Sequence, residues 1–172
     1  SNMKNISFYN YPSLYLKQKK IYNKVISRNL SNGQYILGND LKKLEDKLAK
    51  YFQVKYCVGL ADGTNSLVLG LMSLNYPKNS EIIVPSHTFV ATLNAILNSG
   101  YKPVIIDINK FGKISSENIL PAISKKTKAI LAVNLNGEAC DYNDLNKISS
   151  KYSIDLIEDN AQGFGAYFNN KI

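Results

Sequence analysis

No stretch of this chain approaches the roughly 20 consecutive apolar residues that a membrane-spanning helix needs, so no membrane contact is expected. The N-terminus is polar and tyrosine-rich, without the pattern of a signal peptide, and Ser1 and Asn2 read as a cloning remnant before Met3. There are two cysteines, Cys57 and Cys140, far apart and without metal-ligand spacing. They predict reduced thiols, a cytoplasmic protein and no metal site. There is one histidine, His87. It stands between Ser86 and Thr88 with no carboxylate beside it, and reads as a helix-start residue rather than a catalyst. Neither the G-x-G-x-x-G spacing of a dinucleotide site nor the G-K-[ST] of a P-loop is present, which argues against both classes. Basic residues outnumber acidic ones, 21 to 13, for a net charge of +8. The lysines are scattered, however (Lys17, Lys19, Lys20; Lys42, Lys43, Lys47; Lys125, Lys126, Lys128), and acidic residues interleave with them. With no helix-turn-helix or RNA-binding signature, this reads as a solvated surface and not as a nucleic-acid footprint.

Against those absences stand a hydrophobic content of 45% and a charged content of 20% in 172 residues, enough for a soluble domain with a real core. Apolar residues at helical spacing predict a helix over 13–30. A second is predicted over 39–52, with Asn39 or Asp40 as its cap and Leu41, Leu44, Leu48 and Phe52 on one face. From residue 56 short apolar runs alternate with helical patterns. "YCVGLA", "EIIVP", "KPVIIDI", "AILAVNL" and "DLIEDNA" read as strands. Helices are predicted over 62–74, 86–100 (ended by Gly100), 115–126 (interrupted by Pro121) and 141–152. Such alternation with near-continuous apolar strands implies an α/β fold: a mainly parallel sheet between two helical layers, three-layer αβα.

Ligands of such sheets bind beyond the carboxyl ends of the strands, and polar residues gather there. After the first run, "GLADGTNS" places Gly63, Thr64 and Asn65 at a helix start, where backbone N–H groups and the helix dipole suit a phosphate; an ordinary turn and cap has the same pattern. In "PSHTF", Phe89 lies at a helix start near the ligand edge, where its ring can stack on a planar group or belong to the core. In "DLIEDNAQGFGA", Glu158 and Asp159 end a buried strand. Neighbouring strand residues face opposite ways, so one of the two is free to address the ligand crevice. A carboxylate there needs a partner to offset its desolvation. The protonated ring nitrogen of pyridoxal 5′-phosphate is one such partner and a lysine is another.

Together "GQYILGNDLKKLEDKLAKYF", "VGLADGTNSLVLGL", "EIIVPSHTFVATLNAILNSGYKPVIIDI" and "AVNLNGEACDYNDL…DLIEDNAQGFGA" resemble, in order and spacing from about Gly33 onward, the DegT/DnrJ/StrS family of pyridoxal-phosphate-dependent nucleotide-sugar aminotransferases. The resemblance implies the fold of the large domain of fold-type I pyridoxal-phosphate transferases, here truncated. Residues 1–172 would be the N-terminal part of that domain, opening with a helical segment over about 13–53. By the resemblance, Gly63, Thr64 and Asn65 hold the cofactor phosphate, Phe89 stacks on the pyridine ring, Asp159 pairs with the ring nitrogen and Gln162 lies beside the phenolic oxygen. Asn134 and Asn136 stand where the family more often has a histidine and an aromatic residue in an "HLYG" stretch, and His87 matches a variable position. The lysine that the family joins covalently to the cofactor would lie beyond Ile172.

The implied parent enzyme moves an amino group, typically from glutamate, to a keto sugar linked to a nucleotide, and the 172-residue chain alone is expected to be inactive. A sugar dehydratase of the same family and a non-catalytic binding or assembly module are the alternatives. Because the first apolar run would lack neighbouring strands, a homodimer or an element-swapped oligomer is expected.

Overall fold

The structure, a computed structural model, describes residues 6–169; Ser1 and Asn2 lie outside them. The chain divides into two compact units between Gly59 and Leu60.

The first unit is built on two helices, α1 (Tyr11–Ser31) and α2 (Asn39–Tyr51). Asn10 caps α1, its side chain accepting from the Ser13 N–H at 3.1 Å, and Pro12 occupies the first turn, where a missing N–H costs nothing. Neither Asn39 nor Asp40 caps α2, contrary to expectation. Gly38 is the N-cap, without a side-chain bond, and the Asn39 N–H donates to Gln34 Oε1 at 3.3 Å. The Asp40 carboxylate instead accepts from Asn29 at 3.1 Å and pairs with Arg28. The Asn29 bond and the Arg28 and Lys43 charges hold Asp40 below the usual carboxylate range.

The second unit contains a four-stranded sheet of β1 (Glu81–Pro85), β2 (Lys102–Ile106), β3 (Thr127–Val133) and β4 (Asp155–Asp159). The spatial order is β2-β1-β3-β4 and every pairing is parallel. Four helices cover it: α3 (Gly63–Ser73), α4 (Val90–Asn98), α5 (Ser116–Ile119) and α6 (Tyr142–Tyr152). Strand alternation sorts the apolar side chains into two cores. Ile82 and Val84 of β1, with Ala129 and Leu131 of β3, pack against Leu71 of α3 and Ala95 and Ile96 of α4. Ile83, Ile130 and Ala132 point the other way, onto Ile119 of α5 and Leu145 and Ile148 of α6. The three-layer αβα arrangement is therefore present, with β1 and β3 as its buried centre.

Two segments differ from expectation. Residues 56–61 form no strand: a strand exists through its ladder, and these residues have none among the described residues. The Gly59 N–H is instead taken by Glu45 Oε1 at 2.8 Å. The helix expected over 115–126 is cut short, α5 giving way to a 3₁₀ turn over Leu120–Ala122, because Pro121 offers no N–H and its ring crowds the preceding turn. Gly100, by contrast, ends α4 as expected, in the left-handed region at φ 82 with its N–H on the Leu97 carbonyl.

Candidate functional site

A cleft of about 840 Å³ runs along β4 from Leu156 to Asp159, past the carboxyl end of β3 at Val133, and against α3 and the start of α4. Its wall brings together Gly63 and Thr64 at the start of α3, Thr88 and Phe89 just before α4 with Thr92 in its first turn, and Asp159 at the end of β4 with Gln162 just beyond it. These groups are distant in sequence. The crossover helices return each strand in the same direction, so all strand ends meet at one edge.

Asp62 caps α3, accepting from the Asn65 backbone N–H and from its side-chain amide, both at 2.8 Å. These bonds, with the Thr64 amide behind them, hold the Asp62 carboxyl below its ordinary range. Asn65 thus turns its backbone N–H and its side-chain amide to Asp62, and it is not among the residues lining the cleft, whereas Gly63 and Thr64 are. A β-carbon at Gly63 would meet nothing within 4 Å, so the helix start is open to an approaching group. Phe89 is the N-cap of α4, with an extended backbone (φ −69, ψ 142) that holds its ring at the rim, 67% exposed. His87 is exposed and does not line the cleft.

Glu158 and Asp159 divide between the two faces of β4 as strand alternation requires. Asp159 turns to α4: its Oδ2 accepts from the Thr92 hydroxyl at 3.1 Å and its Oδ1 from the Ala161 N–H at 3.2 Å. Glu158 accepts from Asn134 Nδ2 at 2.5 Å. Asn134, 1% exposed, also donates to Asn160 Oδ1 and accepts on its Oδ1 from the Cys140 N–H and the Tyr142 hydroxyl. Its backbone N–H bonds the Asp159 carbonyl at 3.0 Å. This one buried amide therefore ties the loop after β3 to the loop after β4. Burial first, and the nearby Glu158 charge second, raise the Tyr142 hydroxyl. Burial also raises the Cys140 thiol to about 11. Gln162 is held beside the cleft by the Asn136 N–H, which donates to its Oε1 at 2.9 Å and leaves the Gln162 amino group as a donor.

Sequence reasoning missed Thr88, Thr92 and the bonding role of Asn134. A signal for Thr92 was present: a threonine in the first turn of a largely apolar helix, three and four residues before Ala95 and Ile96, falls on the buried face; Thr88 precedes the Phe89 cap, outside the helical repeat.

A parallel αβα sheet whose strand ends carry this cleft is the architecture of the fold-type I pyridoxal-phosphate enzymes. The model of the DegT/DnrJ/EryC1/StrS aminotransferase family matches residues 17–172, and the chain belongs to that family. It is 40% identical to UDP-2-acetamido-2-deoxy-3-oxo-D-glucuronate aminotransferase of Pseudomonas aeruginosa over 159 residues, 90% of this chain and 44% of that protein. The crystal structure of DesV from S. venezuelae superposes with a TM-score of 0.95 at 28% identity, covering 98% of this chain and 46% of DesV. That of the E. coli GDP-4-keto-6-deoxy-D-mannose-3-dehydratase with bound hydrated PLP superposes with a TM-score of 0.82 at 32% identity, covering 87% and 40%. The chain thus spans less than half the length of these relatives. Among the described residues, no helix is long and apolar enough to cross a membrane.

Proposed function

We propose that the cleft binds pyridoxal 5′-phosphate and that the whole protein is a sugar aminotransferase, moving an amino group, with glutamate as donor, onto a keto sugar linked to a nucleotide. The observation that carries the reading is the Asp159 carboxylate at the end of β4, turned to the same cleft as the Phe89 ring and the Gly63–Thr64 helix start. The donor set fits the cofactor. A carboxylate stabilises a protonated pyridine nitrogen, an exposed aromatic face stacks on a flat ring, and an uncrowded helix start with the Thr64 hydroxyl beside it suits a phosphate. When bound, the cofactor supplies an electron sink for a carbanion next to the transferred nitrogen.

In this reading Asp159 holds the proton on the ring nitrogen, Phe89 fixes the ring plane and shields one face from water, and Gln162 donates toward the phenolic oxygen. Gly63 and Thr64 anchor the phosphate, with Asn65 supporting the turn through Asp62. The 172-residue chain itself is read as binding without turnover. Titration with pyridoxal 5′-phosphate, followed by its own absorbance band, tests the assignment. Saturable uptake weakened by D159N and F89A is expected; uptake indifferent to both substitutions overturns it.

The likeness to a sugar dehydratase favours a second reading, in which the same cleft serves removal of a sugar hydroxyl instead of amination. Assay of the whole protein with glutamate and a nucleotide-linked keto sugar separates the two: amino-sugar formation supports the first reading and deoxy-sugar formation the second. We further propose a homodimer or element-swapped oligomer, because β2 and β4 are unpaired borders of the sheet among the described residues, and a cytoplasmic setting, which suits the two free thiols. Light scattering that reports a single monomeric species would sink that assembly.

A further inference from the structure

Thr92 lies on the core side of α4, in the row of buried residues that includes Ala95 and Ile96, and is itself 1% exposed. A threonine inside a helix commonly turns its hydroxyl back to the carbonyl one turn earlier. This one crosses to another element. Its Oγ1 is 3.1 Å from Asp159 Oδ2, 67 residues away in sequence, and 2.9 Å from Thr88 Oγ1.

Proton counting fixes the direction. A hydroxyl has one proton to give and two lone pairs to receive. An ionised carboxylate only accepts, so the Thr92 proton goes to Asp159. The contact between the two threonines is then made by the Thr88 proton, donated to Thr92. With the Ala161 N–H on Oδ1, each oxygen of Asp159 has one donor from a fixed direction, and the outer lone pairs remain for a ligand.

We infer that Thr92, backed by Thr88, is a positioning residue for Asp159, a two-hydroxyl chain that sets the plane of the carboxylate facing the cleft. The inference rests on the reading of Asp159 as the partner of the ring nitrogen, and it adds the group that aims that partner. It acts through Asp159 and touches no reacting atom.

The test uses the 172-residue chain with T92V, which keeps the shape and removes the proton, and T92S, which restores the proton. The first readout needs no cofactor. Three-bond NMR couplings report whether the Asp159 side chain holds one rotamer. One rotamer is expected in wild type and T92S, and averaging in T92V; a single unchanged rotamer in T92V overturns the inference. The second readout is pyridoxal 5′-phosphate affinity. T92V is expected to weaken it by about tenfold, the scale of one hydrogen bond to a charged group. T92S should recover it, and T92V should add nothing in a D159N background. An equal loss in that background also overturns the inference. Should wild type take up no cofactor, the functional reading fails, and the rotamer measurement still decides whether Thr92 positions Asp159.

Discussion

Gly163 lies so close to Asn134 that a β-carbon on it would stand 2.7 Å from the Asn134 Cβ and 3.3 Å from the Asn134 carbonyl oxygen. Because Asn134 is buried and fully bonded, it has nowhere to move. Gly163→Ala is therefore expected to destabilise the chain by about 1–3 kcal/mol, the usual range for overpacking. Urea denaturation measures this; an unchanged midpoint would mean that the loop after β4 gives way freely.

Asn134 satisfies Glu158, Asn160, Cys140 and Tyr142 at once. Asn134→Leu keeps the bulk but strands those partners, a loss expected to reach about 2–4 kcal/mol, because unmade buried bonds cost more than made ones contribute. Chemical denaturation of the variant checks this.

Cys140 is buried and its thiol is raised to about 11, whereas Cys57 is half-buried. One thiol is expected to react quickly with a disulfide reagent near neutral pH and the other only on unfolding. For stability, the folded chain keeps the Cys140 proton at pH values where the unfolded chain, with an ordinary thiol near 9, has released it. This contribution is intact below about pH 9 and is lost progressively as pH rises toward 11. Cys140→Ser is expected to flatten that part of the stability–pH curve.

Asp62 places a carboxylate at the helix start to which the proposed function assigns a phosphate. Asn caps a helix about as well as Asp, so Asp62→Asn keeps the cap and removes like-charge repulsion. Tighter uptake of pyridoxal 5′-phosphate is expected, by a margin that shrinks as salt is added. Weaker uptake would place the phosphate elsewhere.

The alternation of strand and helix was legible because each buried strand is a short run of β-branched and aliphatic residues and each helix has a cap or a breaker. The division of Glu158 and Asp159 between two faces followed from the period of a strand alone. What could not be read was any feature made by distant partners. Whether 56–61 forms a strand depends on a ladder, not on its own composition, and the crowding of Gly163 by Asn134 exists only once β3 and β4 are side by side. Thr92 was readable as a buried polar residue on a helix but not as a donor to Asp159, since nothing local specifies a bond across 67 residues.

The strand order has one more effect. β1 and β3 are flanked on both sides, so their amide hydrogens exchange with solvent only when the whole unit opens, whereas β4 lies at a border of the four-stranded sheet and can release its hydrogens by fraying. Asp159 thus sits on one of the sheet's most labile strands. A molecule that binds there would slow deuterium uptake in residues 155–159 before it changed anything in the centre, so occupancy of the cleft can be followed without any catalytic turnover.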